Sequence, residues 1–204
     1  AEKIESGEIF VEGRRVDLNS PVDAIRAGIA LIPEDRKSDG LVLLLEVFKN
    51  ITLPAIGEFT VGPGLLSVRR EYVKSQEYHK RLNIRSASMN QQTKYLSGGN
   101  QQKVVIAKWL LTNPKLLIMD EATQGIDVKA KSEIYGIVRE LAESGFSVLF
   151  ISSEVQEVLR VSDRILVTRD GEIVGEFGRG TRQDEILRTT LGGKIESSNR
   201  QVVR

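Results

Sequence analysis

Two short stretches of alternating apolar and polar residues open the chain. Ile9-Phe10-Val11 and Val16-Asp17-Leu18 flank Glu12-Gly13-Arg14, which reads as a hairpin turn. A short helical piece closes over Ala24 to Gly28, and Ile29-Ala30-Leu31-Ile32 then reads as a buried strand stopped by Pro33. Residues 34–68 are the least regular part, punctuated by Pro54, Pro63 and glycines at 40, 57, 62 and 64. Between Arg69 and Leu82 the pattern is helical and strongly polar, with Tyr72, Val73, Tyr78 and Leu82 as a narrow apolar stripe. Past Ser97 the signal sharpens. Val104, Val105, Lys108, Trp109 and Leu111 suit a helix broken by Asn113-Pro114, and Leu116 to Met119 is an apolar run ending in Asp120-Glu121. Residues 130–142 set Ile134, Ile137, Val138 and Leu141 on one helical face. Two further apolar runs, Val148 to Ile151 and Ile165 to Val167, bracket a short helix over Val155 to Leu159. Arg169-Asp170-Gly171-Glu172 reads as a second hairpin. Short apolar strands alternating with helices predict an α/β fold with a parallel sheet covered on both faces. The tail from Ser197 to Arg204 is polar and is expected to fray.

Composition removes several classes of function. The 204 residues are 40% hydrophobic, enough for a core, and carry a formal charge of +1, so no global field draws the chain to nucleic acid or anionic lipid. The absence of cysteine excludes disulfides, thiolate metal sites and cysteine nucleophiles together. The single histidine, His79, leaves no histidine-rich metal site and no Ser-His-Asp triad; outside every motif, it is expected to be a solvated helix residue. The densest apolar stretch, Leu41 to Leu45, falls far short of the ~20 residues of a spanning helix. The first ten residues have no apolar signal core. Any work at a membrane is therefore expected from the cytoplasmic surface, through a partner.

Two stretches carry candidate chemistry. Leu96-Ser97-Gly98-Gly99-Asn100-Gln101-Gln102-Lys103 opens a helix. Ser97 suits an N-cap, and two glycines let an anion approach the free amides of a positive helix end. Taken alone, the same residues make an ordinary capped helix after a glycine turn. Leu116 to Glu121 is a strand whose C-terminal end, where ligands gather in open α/β sheets, carries two acids. Asp120 there can hold Mg²⁺, and Glu121 can orient or deprotonate a water. A strand that simply stops at charged surface has the same look. Gly125-Ile126-Asp127 adds a turn and a third acid that by itself is an N-cap.

The order of these pieces resembles that of the ABC-type ATPases. The stretch 96–103 is similar to their LSGGQ signature, 116–121 to their Walker B strand, and the 23 positions from Ser97 to Asp120 match the family's spacing. LSGGNQQK, DEATQGIDVKAKSEIY, Ile32-Pro33-Glu34-Asp35-Arg36-Lys37 and Ile151-Ser152-Ser153-Glu154 resemble one branch in particular. That branch is the second nucleotide-binding domain of tandem ATPase subunits that power ribose-, galactose- and xylose-type import. The likeness runs from about Gly7 to Leu191. It implies a P-loop NTPase-like α/β fold: a mostly parallel sheet with a helical subdomain and a small antiparallel β part. The implied layout is 1–39 for the β part and a core strand, 40–100 for the helical signature subdomain that docks on a membrane subunit, 101–192 for the ATPase core, and 193–204 for a polar tail.

Residue by residue, the resemblance implies that Ser97, Gly98, Gly99 and Asn100 touch the γ-phosphate of an ATP held mainly by the opposite nucleotide-binding domain. Asp120 would bind the Mg²⁺ of the chain's own ATP, and Glu121 would be the water-orienting base. Asp127 belongs to the loop that couples the two sites. Glu34 falls where most members have the glutamine that senses Mg²⁺ and water. The implied cofactors are ATP and Mg²⁺. The implied partners are a first nucleotide-binding domain of the same or a partner chain, transmembrane permease subunits and, indirectly, a periplasmic or extracellular sugar-binding protein, with no nucleic acid. The implied location is peripheral, on the cytoplasmic face of the cell membrane.

The departures point to a degenerate or incomplete site of its own. Ser153 stands where a catalytic histidine is usual, and a serine holds no positive charge. Glu34 puts an anion where an amide is usual, and it repels phosphate. Ala122 takes the place of a proline. No G-x-x-x-x-G-K-[ST] occurs; Gly193-Lys194 is followed by Ile195 and lacks the upstream glycine. The sequence is therefore expected to be an N-terminally truncated domain without its first strand and helix, inactive alone and weakly stable. The missing phosphate-loop strand is expected to lie between the strands resembling Leu116–Met119 and Val148–Ile151. The alternative reading is a non-catalytic interaction module.

Overall fold

Glu12 and Gly13 take φ of 50° and 73°, the left-handed pair that a two-residue hairpin requires. In the computed structural model, which describes residues 6–191, β1 (Ile9–Val11) therefore pairs antiparallel with β2 (Arg14–Val16), Ile9 opposite Val16. The second strand thus begins at Arg14, two residues earlier than the sequence reading placed it. Ser20 accepts from the Asp23 amide and starts α1 (Pro21–Arg26), with proline at the first turn where its missing N–H costs nothing.

The described residues form two compact units, divided between Ile151 and Ser152. The first holds a three-stranded parallel sheet ordered β3 (Ile29–Ile32), β4 (Leu116–Asp120), β5 (Ser147–Ile151). Its register aligns Ala30, Leu117 and Val148 across the sheet, and Ile32, Met119 and Phe150 two residues on. This is the covered face: Ile32, Leu117 and Met119 are fully buried. The alternate face is open among the described residues, with Leu31 and Leu149 each 47% exposed and Ile151 42%. The expectation of a sheet covered on both faces therefore fails here.

A second expectation fails for a reason of register. β4 and β5 pair directly at five consecutive positions, from Leu116 opposite Ser147 to Asp120 opposite Ile151. No strand can lie between them. The third apolar run also sits elsewhere than in a parallel sheet. β6 (Arg164–Arg169) folds back through Asp170-Gly171 onto antiparallel β7 (Glu172–Gly178) in the second unit. There Ile165, Val167 and Ile186 form a small core with residues of α6 (Val155–Val161) and of α7 (Gln183–Thr190), which the sequence pattern did not single out.

Helices fill the rest of the first unit. α4 (Gly98–Leu110) is buried nearly all round, including Val104, Val105, Ile106 and Ala107 at 0% exposure, and it ends where Asn113 takes φ 50°. α5 (Val128–Glu143) presents Ile134, Ile137, Val138 and Leu141 inward, as its period requires. Residues 34–68 are more ordered than their prolines and glycines suggest. They hold a π-helical turn over Arg36–Gly40, a buried α2 (Val47–Thr52) and a 3₁₀ stretch over Leu53–Phe59. α3 (Val68–Arg81) buries Glu71 and Ser75; of the predicted stripe, Leu82 just beyond it is buried and Tyr72 meets the Phe48 ring at 5.6 Å, whereas Val73 is 54% exposed. His79 is half-buried rather than solvated: its Nε2 lies 2.9 Å from Ser86 Oγ, and burial holds its pKa below the ordinary imidazole value. Among the described residues, no helix is long and apolar enough to cross a membrane. The expected fraying of 197–204 lies outside the described residues.

Candidate functional site

β4 ends on Asp120, and the chain turns at once. Glu121 takes φ 42°, left-handed backbone that a non-glycine residue rarely adopts; its N–H donates to the Ile151 carbonyl at 3.0 Å, and its carbonyl accepts from the Gln124 amide at 2.9 Å. The parallel partner strand thus holds a strained residue at the strand end, the position where function tolerates such cost. Beside it opens a cleft of about 620 Å³. Asp120 and Glu34 both line it, with Leu31, Pro33, Gln124 and Gly125; Glu121 is not in its lining. Asp35 and Arg36, at the same rim, were quoted in the sequence but given no role. Asp35 accepts from the Lys37 amide at 2.8 Å and the Ser38 amide at 3.3 Å, which caps the π-helical turn and holds its carboxyl below the usual range.

The carboxylate at this strand end is of a kind that suits Mg²⁺. Mg²⁺ prefers one or two carboxylates together with phosphate oxygens and water rather than an all-protein cage. Asp120 supplies such a carboxylate, and among the described residues no group of three or more potential ligand side chains would form a cage.

The second predicted cluster lies at the start of α4. Ser97 has the backbone of an N-cap, φ −62° and ψ 156°, but its side chain makes no cap bond. Its Oγ accepts instead from Asn100 Nδ2 at 2.8 Å, while Asn100 Oδ1 accepts from the Arg85 amide at 2.7 Å. The expected Ser97 side-chain cap is therefore diverted to Asn100. α5 differs: Asp127 Oδ1 accepts from the Ala130 amide at 2.9 Å, as an N-cap should. A small recess of about 80 Å³ brings Ser97, Gly99, Asn100 and Asp127 together with Arg85, Lys129 and Glu133.

Packing explains both glycines. A Cβ on Gly99 would lie 2.4 Å from Ala130 Cβ, so the absent side chain is what lets α4 meet α5. A Cβ on Gly98 would lie 2.8 Å from Arg36 Nη2. Gly99 is buried at this junction. The same junction is bound by Lys103, whose Nζ donates to the Asn83 carbonyl at 3.0 Å and pairs with Glu133 at 2.8 Å. That hydrogen bond, then the charges of Lys103, Arg85 and Lys129, holds the Glu133 carboxyl below its usual range. Arg85 lies outside the recognisable motifs, and Glu133, within the stretch 120–135, was given no role there.

Ser153 belongs to the second unit. It is exposed, and the preceding Ser152 donates to the buried Glu157 carboxylate at 2.8 Å while accepting from the Glu154 amide at 3.1 Å.

Comparison with known proteins agrees on one family. The ABC transporter family model matches residues 1–124. The ribose import ATP-binding protein of Bacillus cereus is 46% identical over 194 residues, covering 95% of this chain and 39% of that protein. The xylose import ATP-binding protein of Geobacillus kaustophilus is 45% identical over 189 residues, covering 92% and 37%. The chain thus spans about two fifths of the length of these relatives. Among solved structures, a dimeric ATP-binding cassette in a post-hydrolysis state with ADP and phosphate superposes with a TM-score of 0.72 at 25% identity, covering 88% of this chain and 77% of that one. An ABC transporter cassette in its ADP conformation gives 0.73 at 25% identity, covering 90% and 72%. The fold is the ABC ATPase form of the P-loop NTPase architecture. With a strand-end aspartate, an uncapped signature helix and these relatives in agreement, the chain belongs to the ABC transporter family.

Proposed function

We propose that this chain is part of the ATP-binding subunit of an ABC importer for sugars. In that subunit it presents Ser97, Gly98, Gly99 and Asn100 to an ATP held chiefly by a partner nucleotide-binding domain. The observation that carries the reading is the diverted cap of α4. With Ser97 Oγ bound to Asn100, the N-cap side chain leaves free the amides that a phosphate would take. The printed names of the relatives, ribose and xylose import ATP-binding proteins, support the substrate class.

ATP and Mg²⁺ supply the reacting phosphoanhydride and the cation that offsets its charge. At the chain's own site Asp120 would hold the ion, and Glu121, fixed in its strained turn, would hold the attacking water or its proton. Glu34 brings a carboxylate to the cleft wall, at a rim where phosphate charge would gather. That anion weakens this site relative to the one that Ser97–Asn100 complete. The 204 residues alone are therefore expected not to turn over ATP. The segment 40–100 is the part proposed to dock on a permease, which would place the assembly at the cytoplasmic face of the membrane.

Ser97→Asp is the discriminating variant. Aspartate caps a helix as well as serine, so α4 stays folded, yet it sets like charge against phosphate. In the assembled subunit we expect ATP turnover to fall at least about 100-fold, and Glu121→Gln to cost less. Normal turnover with Ser97→Asp would contradict the signature role. A larger loss with Glu121→Gln would make the chain's own site the active one.

A further inference from the structure

Arg36 does something that neither its neighbours nor its motif announce. Its Nη1 donates to the Gln124 carbonyl at 2.9 Å and its Nη2 to the Gly125 carbonyl at 3.3 Å. The same Nη2 lies against Gly98, where an added Cβ would approach it to 2.8 Å and would meet Ile126 Cγ2 at 3.4 Å. Its Nε is buried. One guanidinium therefore touches three segments: its own loop after β3, the turn after β4, and the first residue of α4. Each segment carries a predicted site residue within two positions of the contact, namely Glu34, Asp127 and Ser97.

The other end of the same loop is fixed too. Lys108 Nζ, on α4, donates to the Gly40 carbonyl at 2.9 Å, and Gly40 packs so closely on Val105 that a Cβ would sit 3.1 Å from its methyl. The π-helical turn Arg36–Gly40 thus lies along α4 as a strut, tied at Gly40 by a buried lysine and at Arg36 by the fork of an arginine. A planar guanidinium with two donors on two successive carbonyls fixes orientation as well as distance, which a lysine cannot do.

We propose that Arg36 is a positioning residue for the signature: it sets the start of α4 against the 124–127 turn, so that the amides of residues 98–100 and the Asp127 loop face a nucleotide in one fixed geometry. Arg36 stands at the rim of the cleft, but its guanidinium is committed to the Gln124 and Gly125 carbonyls, so the role assigned to it is to position and not to bind. It acts through Gly98 and Gly125, and it makes glycine at 98 a consequence of its own presence. This inference rests on the proposed function, so Ser97→Asp accompanies its test.

The test uses the assembled ATP-binding subunit. Arg36→Ala is expected to lower kcat about tenfold or more while KM for ATP stays within about twofold, because misplacement of a bound group costs turnover rather than binding. Arg36→Lys should recover part of kcat but not all of it. Amide exchange should rise together at 98–101 and 124–127 and stay unchanged in β3 and β4. Gly98→Ala should raise exchange at 98–101 in the wild-type background and add little once Arg36 is alanine. Additive effects of the two substitutions, or a loss of kcat that tracks a general rise in exchange, would overturn the proposal. A harmless Ser97→Asp with these exchange effects intact would sink the signature reading and leave the Arg36 contact standing as a structural one.

Discussion

Gly99→Ala tests the helix junction beneath the signature, because its sign is decided by geometry. Alanine is ordinarily the better helix residue by up to ~1 kcal/mol, so without a clash the change would stabilise the chain. Here the new methyl would lie 2.4 Å from Ala130 Cβ. That is roughly 1 Å inside the ~3.5 Å at which two carbons attract. Neither atom ends a flexible side chain, so the relief must come from moving α4 off α5. Overpacking of this kind costs about 1–3 kcal/mol. The upper part of that range applies if the movement also stretches the 2.8 Å Lys103–Glu133 pair, since the Lys103 side chain is only 4% exposed. We expect a net loss of about 1–2 kcal/mol, read as a lower urea midpoint at unchanged slope. Ala130→Gly alone should cost about 1 kcal/mol by propensity, yet it should restore most of the loss in the Gly99→Ala background. A stabilising Gly99→Ala, or two changes that simply add, would refute the close contact.

Other outcomes follow from buried polar groups and from charge. Asn50 is fully buried; its Oδ1 accepts from the Val42 amide at 2.9 Å, and its Nδ2 donates to Thr93 Oγ1 at 2.8 Å and the Val42 carbonyl at 2.9 Å. Asn50→Ala should therefore cost about 3 kcal/mol in denaturant titration, most of it from the groups left unpaired. Glu133 has its pKa lowered in the folded state by Lys103, so its share of stability is present above the unfolded carboxyl value of about 4.3 and is lost as pH falls through the folded one. Lys103→Met should flatten that acid-side fall in a series of urea midpoints. His79 is the only histidine, and burial disfavours its cation, so its NMR titration should centre below the ordinary value of about 6.5. The unfolded chain then takes up that proton first, and His79 lowers stability as pH drops below this value.

The strands β3, β4 and β5 were legible because each is an apolar run of strand length bounded by turn residues. Which face each covers was not, since an unbroken run such as Ile29–Ile32 gives no alternation to show that Leu31 points to an open side. α2 escaped because six residues hold less than two turns of period, and because Asn50 and Thr52 are polar yet buried. The stripe on α3 held at Tyr72 and Leu82 and failed at Val73: Glu71 is satisfied by Thr52 at 2.8 Å and Ser75 by the Tyr72 carbonyl at 2.9 Å, so polar residues share the packing face and Val73 is left outside. At the site, Glu34 and Asp120 were named from the sequence, and the fold brings them to one cleft. Arg36 was not, because its contacts are carbonyls 88 and 89 residues away, which no local pattern encodes. The cap of α4 was misread because a serine before a glycine pair looks like any N-cap until Asn100 is seen to draw its oxygen away.

Amide exchange at 98–100, with and without Mg-ATP, tests most directly whether this helix start serves a nucleotide held by a partner. In the assembled subunit, Mg-ATP should slow exchange of these amides at least about tenfold, the scale of a bound phosphate shielding free helix-end donors. In the 204-residue chain alone, the same Mg-ATP should leave them unchanged. Protection in the isolated chain, or none in the assembly, would contradict the reading.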